Sequence, residues 1–236
     1  MMLDKEYYIV TGSSSGLGEN VVSNMKTLGF NTIGIDIVDG EGTDVKIDLS
    51  TLSKDNIDEI KQYLGGAKIK SIIHCAALQR SPNNNFESLS ETFDEVFGVN
   101  IKSIYLFIKM LEDSFHAFSC VCLISSVHAE ATSENDTLYA SSKAALKGML
   151  RGITLEKKDK MSIFELVLGA MNSPMLLNNL DKEELEELKN ELPSKKILTT
   201  DEVANLIIDL VNNHASILHG SSIVIDNGVL SKLPTK

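Results

Sequence analysis

The chain has 236 residues, enough for one large domain or two small ones, and at this length roughly 70% of the unfolded surface is buried without disulfide or metal staples. Its 43% hydrophobic and 23% charged residues exclude a disordered tail, a collagen and a coiled coil. A net charge of −11, from 33 acids against 22 bases, argues against a broad basic face and against non-specific nucleic-acid binding.

The cysteines, Cys75, Cys120 and Cys122, are odd in number and lack framework spacing, which fits a reducing compartment. The start, MMLDKEYYIVTG, has no apolar stretch behind a basic end, so no signal peptide is read. No apolar run reaches the ~18 residues of a bilayer span. The expectation is a soluble cytoplasmic protein. No repeat, low-complexity segment or Pro/Gly/Ser linker divides the chain, so residues 1–236 are expected to form a single domain.

Short β-branched runs recur at Tyr7–Thr11, Thr32–Ile35, Asp44–Ile47, Ser71–Cys75, Cys120–Ile124, Ile163–Leu168 and Ser222–Ile225. They lack clean alternation, which suits strands buried on both faces. Helical stretches lie between them, and strand–helix alternation predicts a parallel sheet with helices on both sides. The first strand runs into Thr11-Gly12-Ser13-Ser14-Ser15-Gly16-Leu17-Gly18. Glycines in that place allow a tight turn and bring backbone N–H groups and the positive end of a helix against a pyrophosphate. The spacing is G-x-x-x-G-x-G, not G-x-G-x-x-G. Asp36 ends the second strand, where a carboxylate accepts from ribose hydroxyls and repels a 2′-phosphate. No lysine or arginine stands at 12–18 or 37–38, which favours NAD; a mere turn aspartate is the other reading. Asp48-Leu49 either meets an adenine edge or caps a turn.

Residues 90–115 place Phe93, Phe97, Asn100, Ile104, Ile108, Leu111 and Phe115 on one helical stripe. Asn100 is its single polar member, either a core asparagine satisfied by backbone or an amide that holds a water near Lys143. The run Cys120–Ser126 ends in two serines at the sheet edge where such folds bind ligands, and Ser125 competes with Ser126 for a substrate contact. Residues 137–155 set Tyr139, Lys143, Leu146, Leu150 and Ile153 on one stripe, flanked by the small residues Ala140, Ala144 and Gly148. A phenol and an ammonium one turn apart form a proton donor and acceptor pair, the cation lowering a phenol pKa that is otherwise near 10.

These residues together resemble the classical short-chain dehydrogenase/reductases over nearly the whole chain. Gly169-Ala-Met-Asn-Ser-Pro-Met175 is similar to the family's segment after its sixth strand, and Gly220 and Asp226-Asn-Gly228 to its closing motif. The resemblance implies a single Rossmann-type doubly wound α/β domain with a seven-stranded parallel sheet. It implies hydride transfer between a nicotinamide and a secondary alcohol or ketone of a small polar metabolite, such as a sugar derivative. Tyr139 would be the general acid/base, Lys143 its pKa modifier and a ribose ligand, Ser126 the group that positions substrate, and Asn100 the anchor of a relay water. The cofactor, NAD by the Asp36 argument, would be held by Gly12, Ser14, Ser15, Gly16, Leu17, Gly18, Asp36, Asp48, Leu49, Ala76, Ala77, Gly169 and Ser173, together with Tyr139 and Lys143. A homotetramer or dimer built through the two long helices is implied as well.

Three segments depart from the family pattern: His74-Cys-Ala-Ala77 for Asn-Asn-Ala-Gly, Leu168-Gly169 for Pro-Gly, and Ser162-Ile-Phe164 for Arg-Val-Asn. They motivate an alternative, a catalytically retired nucleotide-binding or regulatory module. The cysteines offer no fourth thiolate partner and read as buried thiols, with no metal site. His128 lines the substrate pocket or stands on an exposed loop. Loop 79–85 should rim the pocket. Residues about 170–196 read as a lid, with Met175, Leu176, Leu177 and Leu180 as its apolar side and the acidic helix 181–191 facing solvent, or as an ordinary surface helix.

Overall fold

A computed structural model describes residues 5–157, 160–178 and 180–231. In chain order the strands are β1 (Glu6–Thr11), β2 (Thr32–Asp36), β3 (Val45–Lys46), β4 (Lys68–His74), β5 (Phe115–Ser126), β6 (Met161–Leu168), β7 (Met171–Asn172), β8 (Leu198–Thr199) and β9 (Ser222–Ile225). The helices are α1 (Gly16–Thr27), α2 (Lys54–Leu64), α3 (Phe86–Phe97), α4 (Ser103–Met110), α5 (Thr137–Lys157), α6 (Pro174–Leu177), α7 (Lys182–Glu191) and α8 (Thr200–Asp209). Seven strands form one parallel sheet in the order β3-β2-β1-β4-β5-β6-β9. The small strands β7 and β8 pair with each other beside it. All seven expected strands are present, and the sheet is the one the family resemblance implies. Asn179 within the expected lid lies outside the described residues, as do 1–4, which include the first residues of the segment read for a signal peptide, and 232–236 at the other end of the expected domain.

The sheet is buried on both faces, and successive strand residues feed two separate cores. Ile9, Ile33, Ile72, Val121 and Ile163 pack with α2, α4 and α5 through Ile60, Phe107 and Leu150. Val10, Ile73, Cys122 and Phe164 pack with α1 and α8 through Val22, Met25 and Ile207. This two-sided burial is why the strands read as near-continuous apolar runs. Glycine serves close approach at Gly34, where an added Cβ would lie 1.7 Å from the Gly42 carbonyl oxygen.

Several boundaries differ from expectation. The stripe over 90–115 is not one helix, because a π turn at Gly98–Lys102 separates α3 from α4 and Phe115 already belongs to β5. A π turn inserts one residue, and each residue rotates the helix by about 100°. Phe93 is thereby turned out, 47% exposed and stacked on Phe97 at 4.4 Å, while Ile104, Ile108 and Leu111 stay fully buried. Strand β4 ends at His74, so Cys75 begins the following loop. The expected strand Asp44–Ile47 is ordered as a strand only at Val45–Lys46. On α5, Ala140 is buried against the fold, whereas Ala144 and Gly148 face outward.

Candidate active site

A cleft of about 840 Å³ opens along the carboxyl ends of the main strands, the edge at which open α/β sheets bind ligands. At one end lies the glycine turn. Gly12 holds φ at +72°, and a Cβ there would stand 2.7 Å from the Ala76 nitrogen; one on Gly18 would stand 2.1 Å from the Gly12 carbonyl oxygen. The turn thus packs backbone on backbone, which only glycine permits. Helix α1 starts at this turn, and its N-cap residue Ser15 makes no side-chain cap. Its first N–H groups are left for a ligand, and Ser14, Ser15, Gly16, Leu17 and Gly18 all border the cleft.

Asp36 closes this end. Its carboxylate accepts from the backbone N–H groups of Ser14 (2.9 Å) and Val38 (3.1 Å), which fixes it at the cleft wall with lone pairs to spare. Asp48 serves the turn reading and also stands at the cleft. It caps a short 3₁₀ turn by accepting from Ser50 N (2.9 Å) and Oγ (2.7 Å), and it borders the cleft. Leu49, Ala76, Ala77, Gly169 and Ser173 complete this wall. The uncapped helix start, the glycine cradle and the strand-end carboxylate fit a dinucleotide.

His74, which stands where the family pattern has asparagine, is fully buried beneath the turn. Its Nδ1 lies 2.9 Å from Thr11 Oγ1, which also accepts from Ala76 N at 3.2 Å. Burial and the nearby Lys143 charge push the imidazole down to about 3, so it is neutral. It ties β1 to β4 as a structural residue.

Strand β5 and helix α5 bring Ser126, Tyr139 and Lys143 together at the centre of the cleft. Tyr139 hydrogen-bonds Ser126, whose Oγ also accepts from His128 N at 3.2 Å. Lys143 Nζ donates to the Ile124 carbonyl at 2.8 Å and stands 5.6 Å from the centre of the Tyr139 ring. Ser125 also borders the cleft, but its Oγ donates to the Lys143 carbonyl at 3.4 Å. One expectation fails. The Tyr139 phenol stands above its ordinary value, not below it, because burial pushes it up to about 12 against the pull of the Ser126 hydrogen bond. Burial also brings Lys143 down to about 8.

Asn100 is fully buried and does not border the cleft. From the π turn its Oδ1 accepts from Leu78 N (2.7 Å), and its Nδ2 donates to the Leu78 carbonyl (3.0 Å) and to Ser142 Oγ (2.8 Å). The side chain is therefore spent on protein partners, as the core reading expected.

The far wall adds Asp136, which the sequence left unassigned, to His128, loop 79–85 and the lid. Asp136 accepts from Gln79 Nε2 (2.7 Å) and Ser133 Oγ (2.6 Å). His128 is no free loop residue; its ring meets Tyr139 edge-on at 5.5 Å. Arg80 borders the cleft and is ion-paired to Glu95. Met175, Leu176 and Leu180 face the cleft as expected, but Leu177 does not and is exposed. Helix α7, capped by Asp181 and Glu184, contributes Leu188 to the cleft, so it is not purely a solvent-facing element. The three cysteines are free thiols, and Cys75 is held up at about 12 by burial. Among the described residues no His/Cys/Asp/Glu group could hold a metal, and no helix is long and apolar enough to cross a membrane.

A parallel sheet of this order with a glycine turn after β1 and a carboxylate after β2 defines a dinucleotide-binding α/β protein. A family model described as Enoyl-(Acyl carrier protein) reductase matches residues 12–230. The chain is 25% identical to 3-oxoacyl-acyl-carrier-protein reductase FabG of Buchnera aphidicola subsp. Schizaphis graminum, over 97% of this chain and 99% of that one. Among solved structures it is similar to a short chain dehydrogenase family protein of Francisella tularensis (TM-score 0.84, 22% identity, 98% and 100% covered). It is similar also to the aldohexose dehydrogenase of Thermoplasma acidophilum (TM-score 0.87, 21% identity, 99% and 97% covered). The chain belongs to the short-chain dehydrogenase/reductase family of oxidoreductases.

Proposed function

We propose that this protein is an NAD-dependent oxidoreductase that interconverts a secondary alcohol and a ketone of a small polar metabolite. The observation that carries the reading is the Ser126–Tyr139–Lys143 cluster at the centre of a cleft whose far end is bordered by Asp36. A nicotinamide cofactor held by the glycine turn, Asp36, Asp48, Ala76, Ala77, Gly169 and Ser173 supplies or takes the hydride. Ser126 Oγ holds the substrate oxygen beside the phenol. Tyr139, protonated at neutral pH, donates its proton to a carbonyl oxygen during reduction and retrieves it during oxidation. Lys143, cationic below about pH 8, stabilises the phenolate left behind and hydrogen-bonds the ribose. Asn100 acts at one remove, by fixing the π turn and the start of loop 79–85.

The intact cluster speaks for turnover over a retired binding module, because a nucleotide-binding role alone does not call for a phenol and a hydroxyl side by side with an ammonium near the ring. The whole chain acts as one domain, with residues about 170–196 as its lid. Exposed Tyr105 and Met110 on α4, with Ala144, Gly148 and Leu155 on α5, support assembly as a homotetramer or dimer. The free cysteines support a cytoplasmic setting. Asp36 supports NAD over NADP through charge repulsion with a 2′-phosphate. Titration of NADH and NADPH by nicotinamide fluorescence tests this. NADH should bind at least about tenfold more tightly, and Asp36→Ala should erase most of that ratio. Tighter NADPH binding by the wild type would reject the assignment.

A further inference from the structure

The wall that faces Tyr139 is dominated by hydrogen-bond acceptors. Asp136 carries two of them; burial raises its carboxyl, but hydrogen bonds from Ser133 and Gln79 and the nearby His128 outweigh this and hold it below its ordinary value. Gln79 gives one of its two amide N–H groups to Asp136 at 2.7 Å, so its Oε1, unbonded to any described residue, and its second N–H are left for a ligand. His128 Nδ1 lies 3.0 Å from Thr132 Oγ1 and 3.8 Å from Asp136 Oδ2. Thr132 in turn donates to the Ser133 carbonyl. Both neighbours therefore favour the hydrogen on Nδ1, which leaves His128 Nε2 as a lone pair without a described partner. Of the two cations at the cleft, Arg80 has its charge matched by Glu95, and Lys143 donates to the Ile124 carbonyl. Across from this polar wall stand Met175, Leu176, Leu180 and Leu188.

We infer that Asp136, Gln79 and His128 form a specificity subsite for hydroxyl donors on carbons next to the reacting carbon, so that the substrate is a polyhydroxylated ring or chain with no anionic group there. This rests on the oxidoreductase reading above. The acceptors take the hydroxyl hydrogens, and the lid leucines take the C–H face. A carboxylate beside the reacting carbon would meet the like charge of Asp136 and two lone pairs against a single free N–H, that of Gln79.

The test compares D-glucose, myo-inositol and xylitol with cyclohexanol and 3-hydroxybutyrate, on wild type, Asp136→Asn and Gln79→Met, with melting temperature as the control for folding. At least one polyol should exceed both comparators tenfold or more in kcat/KM. Asp136→Asn should reduce the polyol-to-cyclohexanol ratio at least tenfold, mainly through KM, with a smaller reduction in Gln79→Met. Preference for 3-hydroxybutyrate, or a ratio unmoved in both variants, overturns the inference. Cyclohexanol turnover that is lost in Tyr139→Phe but prefers no polyol rejects the subsite alone. Absence of any turnover while NADH binds rejects the oxidoreductase reading and the subsite together.

Discussion

The two ends of the cleft are built by different means. At the end under α1 the wall is backbone: Gly12 against Ala76, Gly18 against Gly12, and N–H groups left bare because Ser15 does not cap. At the other end the wall is side chains borne on three separate segments, Gln79 after β4, His128 and Asp136 after β5, and Met175 with Leu188 after β6. A backbone wall binds what every dinucleotide shares and tolerates little change. A side-chain wall takes its chemistry from the side chains that each segment happens to carry and so bears substrate choice.

The largest effect should come from Tyr139→Phe, where the two walls meet. Turnover should fall by about 10³-fold or more, the range for loss of a positioned proton donor, while the melting temperature and NADH fluorescence enhancement are kept. Turnover within tenfold of wild type would remove Tyr139 from its role. Next, Gly12→Ala should damage both fold and nucleotide binding, because φ is positive and the new methyl meets backbone. Left-handed strain of roughly 1–2 kcal/mol adds to the clash. Calorimetry should show melting lowered by roughly 4–8 °C, at about 2–4 °C per kcal/mol. NADH affinity should fall at least tenfold by fluorescence titration. The smallest effect concerns pH. Lys143 is cationic below about 8 and neutral above it, whereas Tyr139 stays protonated up to about 12. The pH profile of kcat for reduction should therefore be flat below about 7, fall about twofold by pH 8 and about fivefold more by pH 9, as one proton is lost. A profile flat to pH 10 would contradict the role given to Lys143.

The contrast between the two walls also decides what the sequence discloses. Thr11–Gly18 is legible because a glycine turn is local: spacing, preceding strand and following helix are contiguous. Asp36 is legible for the same reason. Tyr139 and Lys143 share a face through simple helical spacing, but the phenol's environment depends on burial supplied by distant segments, so the direction of its shift was not readable. Asp136 and Gln79 are 57 residues apart and meet only in the fold. Phe93 shares a stripe with Ile104 and Ile108 only if a constant 3.6-residue period runs through Gly98, and the π turn breaks that phase. The glycine in mid-helix beside a lone polar residue was the available signal for the break.

Asn100 has a reach beyond its own position. From α5, Ser142 holds Asn100, Asn100 grips both polar atoms of the Leu78 peptide, the next residue is Gln79, and Gln79 returns to Asp136 just before α5 begins. These contacts close a ring. A closed ring shares strain among its members, so none can be resized alone without opening the rest. Redesign of substrate preference should thus leave residues 78, 79, 100, 136 and 142 together and vary the segments that hang outside the ring, at 81–85 and on the lid. Reach and selectivity then change while the frame that aligns the substrate against Tyr139 stays shut.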